Sequence, residues 1–242
     1  MSQDEPNFDM IWPRESLQPP QPGKPPLTRD QIVAAAIGIA DEQGIDALSI
    51  RRIATRLGVG ATTLYWHVKS KDDLFELMYD STTAEIELPE PTGDWRADLR
   101  DLALRTHEGH VRHRWLILLG IQPSIGPNLQ RYADYINRVL GPVGLGLQAR
   151  TDTMAILNNY IFGFAHRETA WERLRERAGL TGDQWQERLD NYLEQARGTD
   201  SELAALIQSR LYLTSQDNFE LGLECVLDGI ASRVVARPAA TG

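Results

Sequence analysis

The chain has 242 residues, 42% of them hydrophobic, which is enough to bury a sizeable core and excludes disorder throughout. Its apolar stretches, such as Met154 to Phe164, are far shorter than the roughly 20 residues that cross a bilayer. The acidic, proline-rich start lacks the pattern of a secretory signal, so we expect a cytoplasmic protein without membrane spans. The single cysteine, Cys225, is expected as a small buried residue on a helix.

The charge is unevenly distributed along the chain. A net charge of −9 argues against a nucleic-acid protein, because phosphate binding depends on Lys and Arg. The segment from Ser49 to Lys71 nevertheless carries five cations and no acid. These cations are Arg51, Arg52, Arg56, Lys69 and Lys71. One small region is therefore electrostatically suited to DNA.

Residues 1–26 hold seven of the 13 prolines, which remove backbone donors and prevent a continuous helix. We predict a disordered arm here. In the alternative interpretation, Ile11 and Trp12 dock this arm on the body of the protein.

Helix signals begin at residue 28. Thr28 with Gln31 forms a capping box, and Ser49 and Ser70 are further N-cap residues. Glycines at 58 and 60 end the second helix after two turns. The predicted helices are 29–43, 50–57, 62–67 and 71–86, and prolines 89 and 91 close this unit at about residue 88.

From Asp94 to Arg237 the sequence shows helical periods and no strand alternation, so the fold class is all-α. Predicted helices are 95–111, 115–119, 128–140, 148–178, 183–196, 201–208 and 217–235. We therefore divide the chain into the arm at 1–26, a small helical domain at 27–88 and a larger one at 94–237.

The segment from Ser49 to His67 has the layout of a helix-turn-helix: a short helix, a glycine-containing turn and a second helix. In the second helix Leu64 is able to face inward. The side chains that then remain available to bases and phosphates are Thr62, Thr63, Tyr65, Trp66 and His67. Lys71 follows and is placed for a phosphate. In the alternative interpretation, Tyr65 and Trp66 are core aromatics and the arginines are a solvated face.

The run Leu64-Tyr65-Trp66-His67-Val68-Lys69-Ser70-Lys71, with the preceding 48–59, resembles the DNA-binding domain of the tetracycline-repressor (TetR) family over about residues 28–78. The resemblance implies base or groove contacts from Arg51, Thr63, Tyr65, Trp66 and His67. It implies phosphate contacts from Ser49, Thr63 and Lys71. Tetracycline repressors have Gln-Pro where this chain has Ala61-Thr62, so a bidentate base reader is lost and the operator should differ.

Apolar residues form one stripe near the C-terminus, at Phe219, Leu223, Val226, Leu227, Ile230 and Val234. The long helix from Gln148 carries a second apolar face with Gly163 and Ala165. These faces are either intrachain core or, as the resemblance implies, the four-helix interface of a homodimer. Two-fold symmetry suits a palindromic operator.

Histidines, aromatics and one asparagine of several predicted helices are candidates for a small-molecule pocket, because bundles place such sites between helices. They are His107, His110, Trp115, Tyr132, Tyr135, Asn158, Tyr160, Phe162 and His166. Ordinary packing is the alternative for each. His107 and His110 lie one turn apart but lack a clear third ligand, so we predict no metal and no cofactor.

These observations predict an all-α protein with an N-terminal helix-turn-helix DNA-binding domain and a larger C-terminal helical domain for ligand binding and dimerisation. The expected function is a ligand-responsive regulator, most simply a repressor that binds a palindromic operator as a homodimer and is released by a small-molecule effector. The alternatives are a ligand-insensitive DNA-binding protein and an all-helical enzyme. No nucleophile elbow, P-loop, dinucleotide fingerprint or zinc-protease motif favours the enzyme.

Overall fold

The computed structural model of the chain describes residues 27–120, 125–196 and 216–232. Within these ranges every regular element is helical, so the predicted all-α class is confirmed. The helices are α1 Arg29–Gln43, α2 Ile50–Leu57, α3 Ala61–Leu64, α4 Lys71–Ala84, α5 Trp95–Arg112, α6 Trp115–Leu119, α7 Pro127–Leu140, α8 Leu147–Arg177, α9 Gly182–Ala196 and α10 Gln216–Ile230. The predicted arm at 1–26 and the predicted helix at 201–208 lie outside the described residues. No helix in the described ranges is long and apolar enough to cross a membrane.

The three predicted N-caps are confirmed. The Gln31 amide donates to Thr28 Oγ1 at 3.2 Å, and the Thr28 amide donates to Gln31 Oε1 at 3.0 Å. Ser49 Oγ accepts the amide of Arg52 at 3.3 Å, and Ser70 Oγ accepts that of Asp73 at 3.0 Å. These bonds satisfy amides at the first turns of α1, α2 and α4 that have no partner within the helix.

The prediction for α3 was too long. The helix ends at Leu64, and residues 65–67 form tighter turns. The amides of Trp66 and His67 donate to the carbonyls of Thr63 and Leu64, three residues back, at 3.4 and 2.9 Å. The structure also contains a short 3-10 helix at Ile45–Ala47 that the sequence did not predict.

The described residues form two compact units. The first, here called the head, consists of the described residues up to Glu87 together with the described residues of 112–134. The second, here called the body, consists of 88–111 and the described residues from 135 onward. The segment 112–134 therefore groups with the N-terminal helices, although it follows α5 in the chain.

One apolar core holds the head together. Buried residues of α1, α2, α3 and α4 share it with Trp115 and Leu116 of α6. The carboxylate of Asp80, which is 2% exposed, accepts the amides of Asn128 and Leu129 at 3.0 and 3.2 Å and the Asn128 side-chain amide at 2.7 Å. A side chain of α4 thus provides the N-terminal partner that α7 needs, and its negative charge favours that end of the helix dipole.

In the body, α10 packs against α8 within the same chain. Four residues of the predicted apolar stripe, Phe219, Leu223, Leu227 and Ile230, are at most 1% exposed, so for these the intrachain interpretation is confirmed. The expectation that Cys225 is buried was wrong, because it lies on the exposed side of α10.

A close contact between α8 and α10 depends on Gly222. The Tyr160 hydroxyl donates to the Phe219 carbonyl at 2.7 Å, and the two rings stack with their centroids 5.5 Å apart. A Cβ atom at position 222 would overlap the Tyr160 hydroxyl and lie 2.9 Å from Cζ of its ring. The absence of a side chain at this position allows the two helices to approach.

We predict that Gly222→Ala lowers the free energy of unfolding by about 1–3 kcal/mol, because the added methyl group overpacks the contact with Tyr160. Gly109→Ala in α5 of the body is the matched control, since a Cβ there meets no atom within 4 Å. That variant should be neutral or slightly stabilising, as alanine favours helices. Chemical unfolding monitored by circular dichroism measures both, and equal behaviour of the two variants would contradict the packing argument.

Candidate functional site

The turn after α3 presents two aromatic side chains to solvent. Gly58 ends α2 in the left-handed conformation at φ 65°, and α3 follows at Ala61. Leu64 and Val68 are buried in the head core at 0% and 2% exposure. Tyr65 and Trp66, between them in sequence, are 56% and 58% exposed. The two aromatics are therefore surface residues in this structure and not part of the head core.

The other predicted DNA-contacting residues fall into two groups. The side chains of Ser49, Arg51, Thr62 and Lys71 are exposed, and that of Thr63 is half-buried.

His67 differs from the expectation of surface availability. Its side chain is 5% exposed, and burial, with a smaller contribution from the charge of Arg29, lowers its pKa below the ordinary histidine value. A buried, neutral imidazole is better suited to packing inside the head than to contact with a DNA phosphate. Its predicted DNA contact stays a prediction that this placement does not favour.

The cationic segment is partly neutralised by the fold. Arg56 makes two hydrogen bonds to Glu42 of α1, from Nη1 at 3.0 Å and from Nη2 at 2.5 Å. This bond lowers the pKa of Glu42 and raises that of Arg56. Arg52 Nη1 donates to the Ala47 carbonyl at 3.2 Å, and Lys71 Nζ lies 5.2 Å from the centroid of the Phe75 ring. An acid 14 residues away thus compensates one of the five predicted cations.

In the body, His107 lies at the centre of an aromatic cluster. Its side chain is buried, it stacks on Phe219 with centroids 4.1 Å apart, and it meets the edge of Phe164 at 5.7 Å. His107 Nε2 forms a hydrogen bond with Glu168 Oε2 at 2.6 Å. Tyr160 completes the cluster through its stack on Phe219, and burial raises the pKa of its hydroxyl to about 12.

The remaining predicted pocket residues are dispersed. In the body, Tyr135 is buried, His110 meets Phe162 edge-on at 6.3 Å, Asn158 is half-buried and His166 is exposed.

Trp115 and Tyr132 are buried residues of the head. The Trp115 indole donates to Asp41 Oδ1 at 2.7 Å, a contact that indicates a structural role. Their assignment to a ligand pocket stays a prediction.

Sequence reasoning missed four members of the body cluster as site residues: Phe164, Arg167, Glu168 and Phe219. The Arg167 guanidinium lies 4.6 Å from the centroid of the Phe164 ring. Its Nε is buried and has no hydrogen-bond partner among the described residues. The spacing of Phe164, Arg167 and Glu168 on one helix was an available signal, because residues three and four apart share a face. Among the described residues, no group of three histidines, cysteines or acids is placed to hold a metal ion.

Two family models match the chain. One described as bacterial regulatory proteins, tetR family, matches residues 32–78, and one described as tetracyclin repressor-like, C-terminal domain, matches residues 88–234. The HTH-type transcriptional repressor DrrR1 of Streptomyces coeruleorubidus is 31% identical over 235 residues, which are 95% of this chain and 86% of that protein. An HTH-type transcriptional regulator of Saccharopolyspora erythraea is 35% identical over 171 residues, covering 70% of this chain and 71% of that one.

Solved structures lead to the same family. Apo ActR of Streptomyces coelicolor matches with a TM-score of 0.71 at 28% identity, covering 88% of this chain and 100% of that chain. ActR in complex with actinorhodin, described as a TetR family protein, matches with a TM-score of 0.68 at 30% identity, covering 86% and 98%. The C-terminal family model alone spans more than half of the sequence. The chain therefore belongs to the TetR family of transcriptional regulators.

Proposed function

We propose that the chain is a ligand-responsive repressor that binds a palindromic operator as a homodimer and is released by a small molecule. The observation that carries the proposal is the pair Tyr65 and Trp66, held outward by the burial of their neighbours Leu64 and Val68. Aromatic rings left exposed at the end of a recognition helix suit packing on sugar and phosphate. Membership of a family of transcriptional regulators supports the same conclusion.

Tyr65 and Trp66 form the proposed DNA surface together with four exposed polar residues and the half-buried Thr63. Its members are Ser49, Arg51, Thr62, Thr63, Tyr65, Trp66 and Lys71. The Ser49 hydroxyl already caps α2, so a phosphate there would also meet the helix N-terminus. We assign His67 to the packing beneath this surface, since its side chain is buried.

The proposed dimer uses the exposed side of the body helices. On α10 the exposed side carries Leu221, which is 67% exposed, and Cys225. On α8 it carries Ile156, which is 43% exposed, and Gly163. Apolar and small residues on two neighbouring helices suit close packing against a second copy. The buried stripe from Phe219 to Ile230 then supports this interface from within the chain.

The proposed effector site is the aromatic cluster of the body. It combines the stacked rings around His107 with the Arg167 guanidinium and the Glu168 carboxylate, a mixture of apolar walls and a few polar groups that is typical of ligand sites. The solved complexes of ActR, with actinorhodin and with (S)-DNPA, show that a protein of this family and similar fold binds small molecules. A ligand-insensitive regulator is the second candidate and would show no effect of any small molecule on DNA affinity.

We predict that Lys71→Ala weakens DNA binding similarly on all sequences and lowers the slope of log K against log salt by about 1, because one phosphate contact is lost. Arg56→Ala is the matched control and should change the slope less, since Glu42 already compensates that charge. Fluorescence anisotropy with a selected genomic fragment at several salt concentrations measures both. An unchanged slope for Lys71→Ala would remove its phosphate role.

We predict that Leu221→Glu produces folded monomers, because it places an unpaired charge in the dimer interface at a cost of about 3–5 kcal/mol. Leu223→Glu, two residues further on and fully buried, should instead unfold the body. Sedimentation reports the oligomeric state and circular dichroism the folding. A wild-type monomer at micromolar concentration would rule out the dimer.

We predict reciprocal coupling between effector and DNA. Planar aromatic compounds, with actinorhodin among them, serve as probes in titrations with and without operator fragment. A binding probe should weaken DNA affinity by about 5–150-fold, and DNA should weaken probe binding by the same factor. Arg167→Gln should impair probe binding and spare DNA binding, whereas Arg173→Gln, at an exposed arginine of the same helix, should affect neither. Equal probe affinity with and without DNA would leave the ligand-insensitive alternative.

A further inference from the structure

A buried histidine in the head lies between two carboxylates. His113 is 4% exposed, with its Nδ1 2.9 Å from Asp41 Oδ1 and its Nε2 3.0 Å from Glu85 Oε2. Asp41 belongs to the last turn of α1, and Glu85 is the first residue after α4. His113 itself precedes α6 by two residues. The ring therefore joins three segments of the head.

Both contacts are hydrogen bonds only when the ring carries two protons. A neutral imidazole has one N–H group, and its other nitrogen is an acceptor. Ionised carboxylates accept hydrogen bonds and do not donate them. In the neutral form, one ring nitrogen would therefore face a carboxylate oxygen with no proton between them, and a buried contact of that kind is unfavourable. Hydrogen bonds from both ring nitrogens of His113 to carboxylates therefore need the imidazolium form.

Neighbouring donors hold the two carboxylates in place. The Trp115 indole donates to Asp41 Oδ1 at 2.7 Å, and Arg112 Nη1 donates to Glu85 Oε2 at 3.1 Å. Burial alone would raise the pKa of Glu85, but the hydrogen bonds and charges of His113 and Arg112 lower it below its ordinary value. The titratable or charged groups that face the His113 ring are thus Asp41 from α1, Glu85 from the end of α4 and Arg112 from the end of α5.

The position of this cluster connects it with DNA binding. α1 packs against both α2 and α4, and Trp115 and Leu116 belong to the same apolar core as Leu64 of α3. We propose that His113 is a positioning residue, whose imidazolium form fastens residues 112–116 to the ends of α1 and α4, so that DNA affinity falls when this ring loses its proton. The proposal rests on the DNA-binding function proposed above.

The two kinds of group give opposite pH dependence. Glu85, with its lowered pKa, contributes stability above its ordinary titration range and loses it as pH falls through the lowered value. The imidazolium bonds of His113 are present at low pH and are lost as pH rises and the ring is deprotonated. The two dependences have opposite signs, so a loss of head stability with rising pH would be assigned to the bonds of His113 and not to Glu85.

The experiment compares the full-length wild type with His113→Gln, which keeps hydrogen-bonding groups but does not titrate. His166→Gln is the matched control for DNA affinity measured without ligand, since that histidine is exposed on α8 and lies outside both the head and the proposed effector cluster. DNA affinity is measured between about pH 6 and 8.5, which covers the range in which histidines commonly titrate. Wild type and His166→Gln should lose affinity with rising pH, by at most about tenfold per pH unit for one linked proton, while His113→Gln should be flat.

Imidazole NMR signals, assigned from the one missing in His113→Gln, report the protonation of the ring directly. A doubly protonated His113 at about pH 6 supports the clamp, and a neutral ring there overturns it. Wild-type pH dependence in His113→Gln also overturns it. If that variant does not fold, the unfolding of the wild type decides: its free energy of unfolding should fall as pH rises from about 6 to 8.5, and a free energy that does not change with pH overturns the clamp. Wild type that binds no DNA at any pH overturns the proposed function and the DNA part of this proposal, while a doubly protonated ring still supports the clamp itself.

Discussion

The position of the proposed DNA surface depends on the burial of Leu64 and Val68. α3 has only four residues, and a helix of that length is not stable alone in water, so packing must fix its direction. The two side chains lie one turn apart on the core side, which leaves Tyr65 and Trp66 outside. The position of each proposed DNA contact within residues 61–68 therefore depends on this burial. Loss of the core contacts of Leu64 and Val68 would therefore displace the proposed DNA surface even if every residue of that surface were unchanged.

The positive charge that the chain presents to DNA depends on the fold and not only on the composition of residues 49–71. Counted along the chain, residues 49–71 carry only positive charge. In the structure Glu42 reaches Arg56 from α1, so the field of α2 comes chiefly from other cations. Exposed ion pairs of this kind contribute little to stability, but they do redistribute potential. For an acidic protein that binds DNA, the position of the exposed cationic side chains therefore matters more than their number.

Local signals in the sequence predicted most of the fold. Caps at Thr28, Ser49 and Ser70 and the helical periods depend on residues three or four apart, and the helix bounds follow them closely. The hydrogen-bond partners of His107 and His113 could not be predicted from local spacing, because Glu168 and Asp41 lie 61 and 72 residues away in the chain. The burial of His67 was a missed local signal, since it lies three residues after Leu64 and thus on the same side. The candidate DNA surface was predictable from one segment, whereas the body cluster needed tertiary structure.

Polar contacts add to the apolar core in fixing the described residues of 112–134 in the head. Asp80 holds the start of α7, and His113 and Trp115 bind carboxylates at the ends of α1 and α4. α7 continues from the head into the body, and α5 ends in the head after beginning in the body. Hydrogen bonds weaken steeply with small changes of distance and angle. A displacement of the start of α7 or of the end of α5 would therefore break polar contacts inside the head.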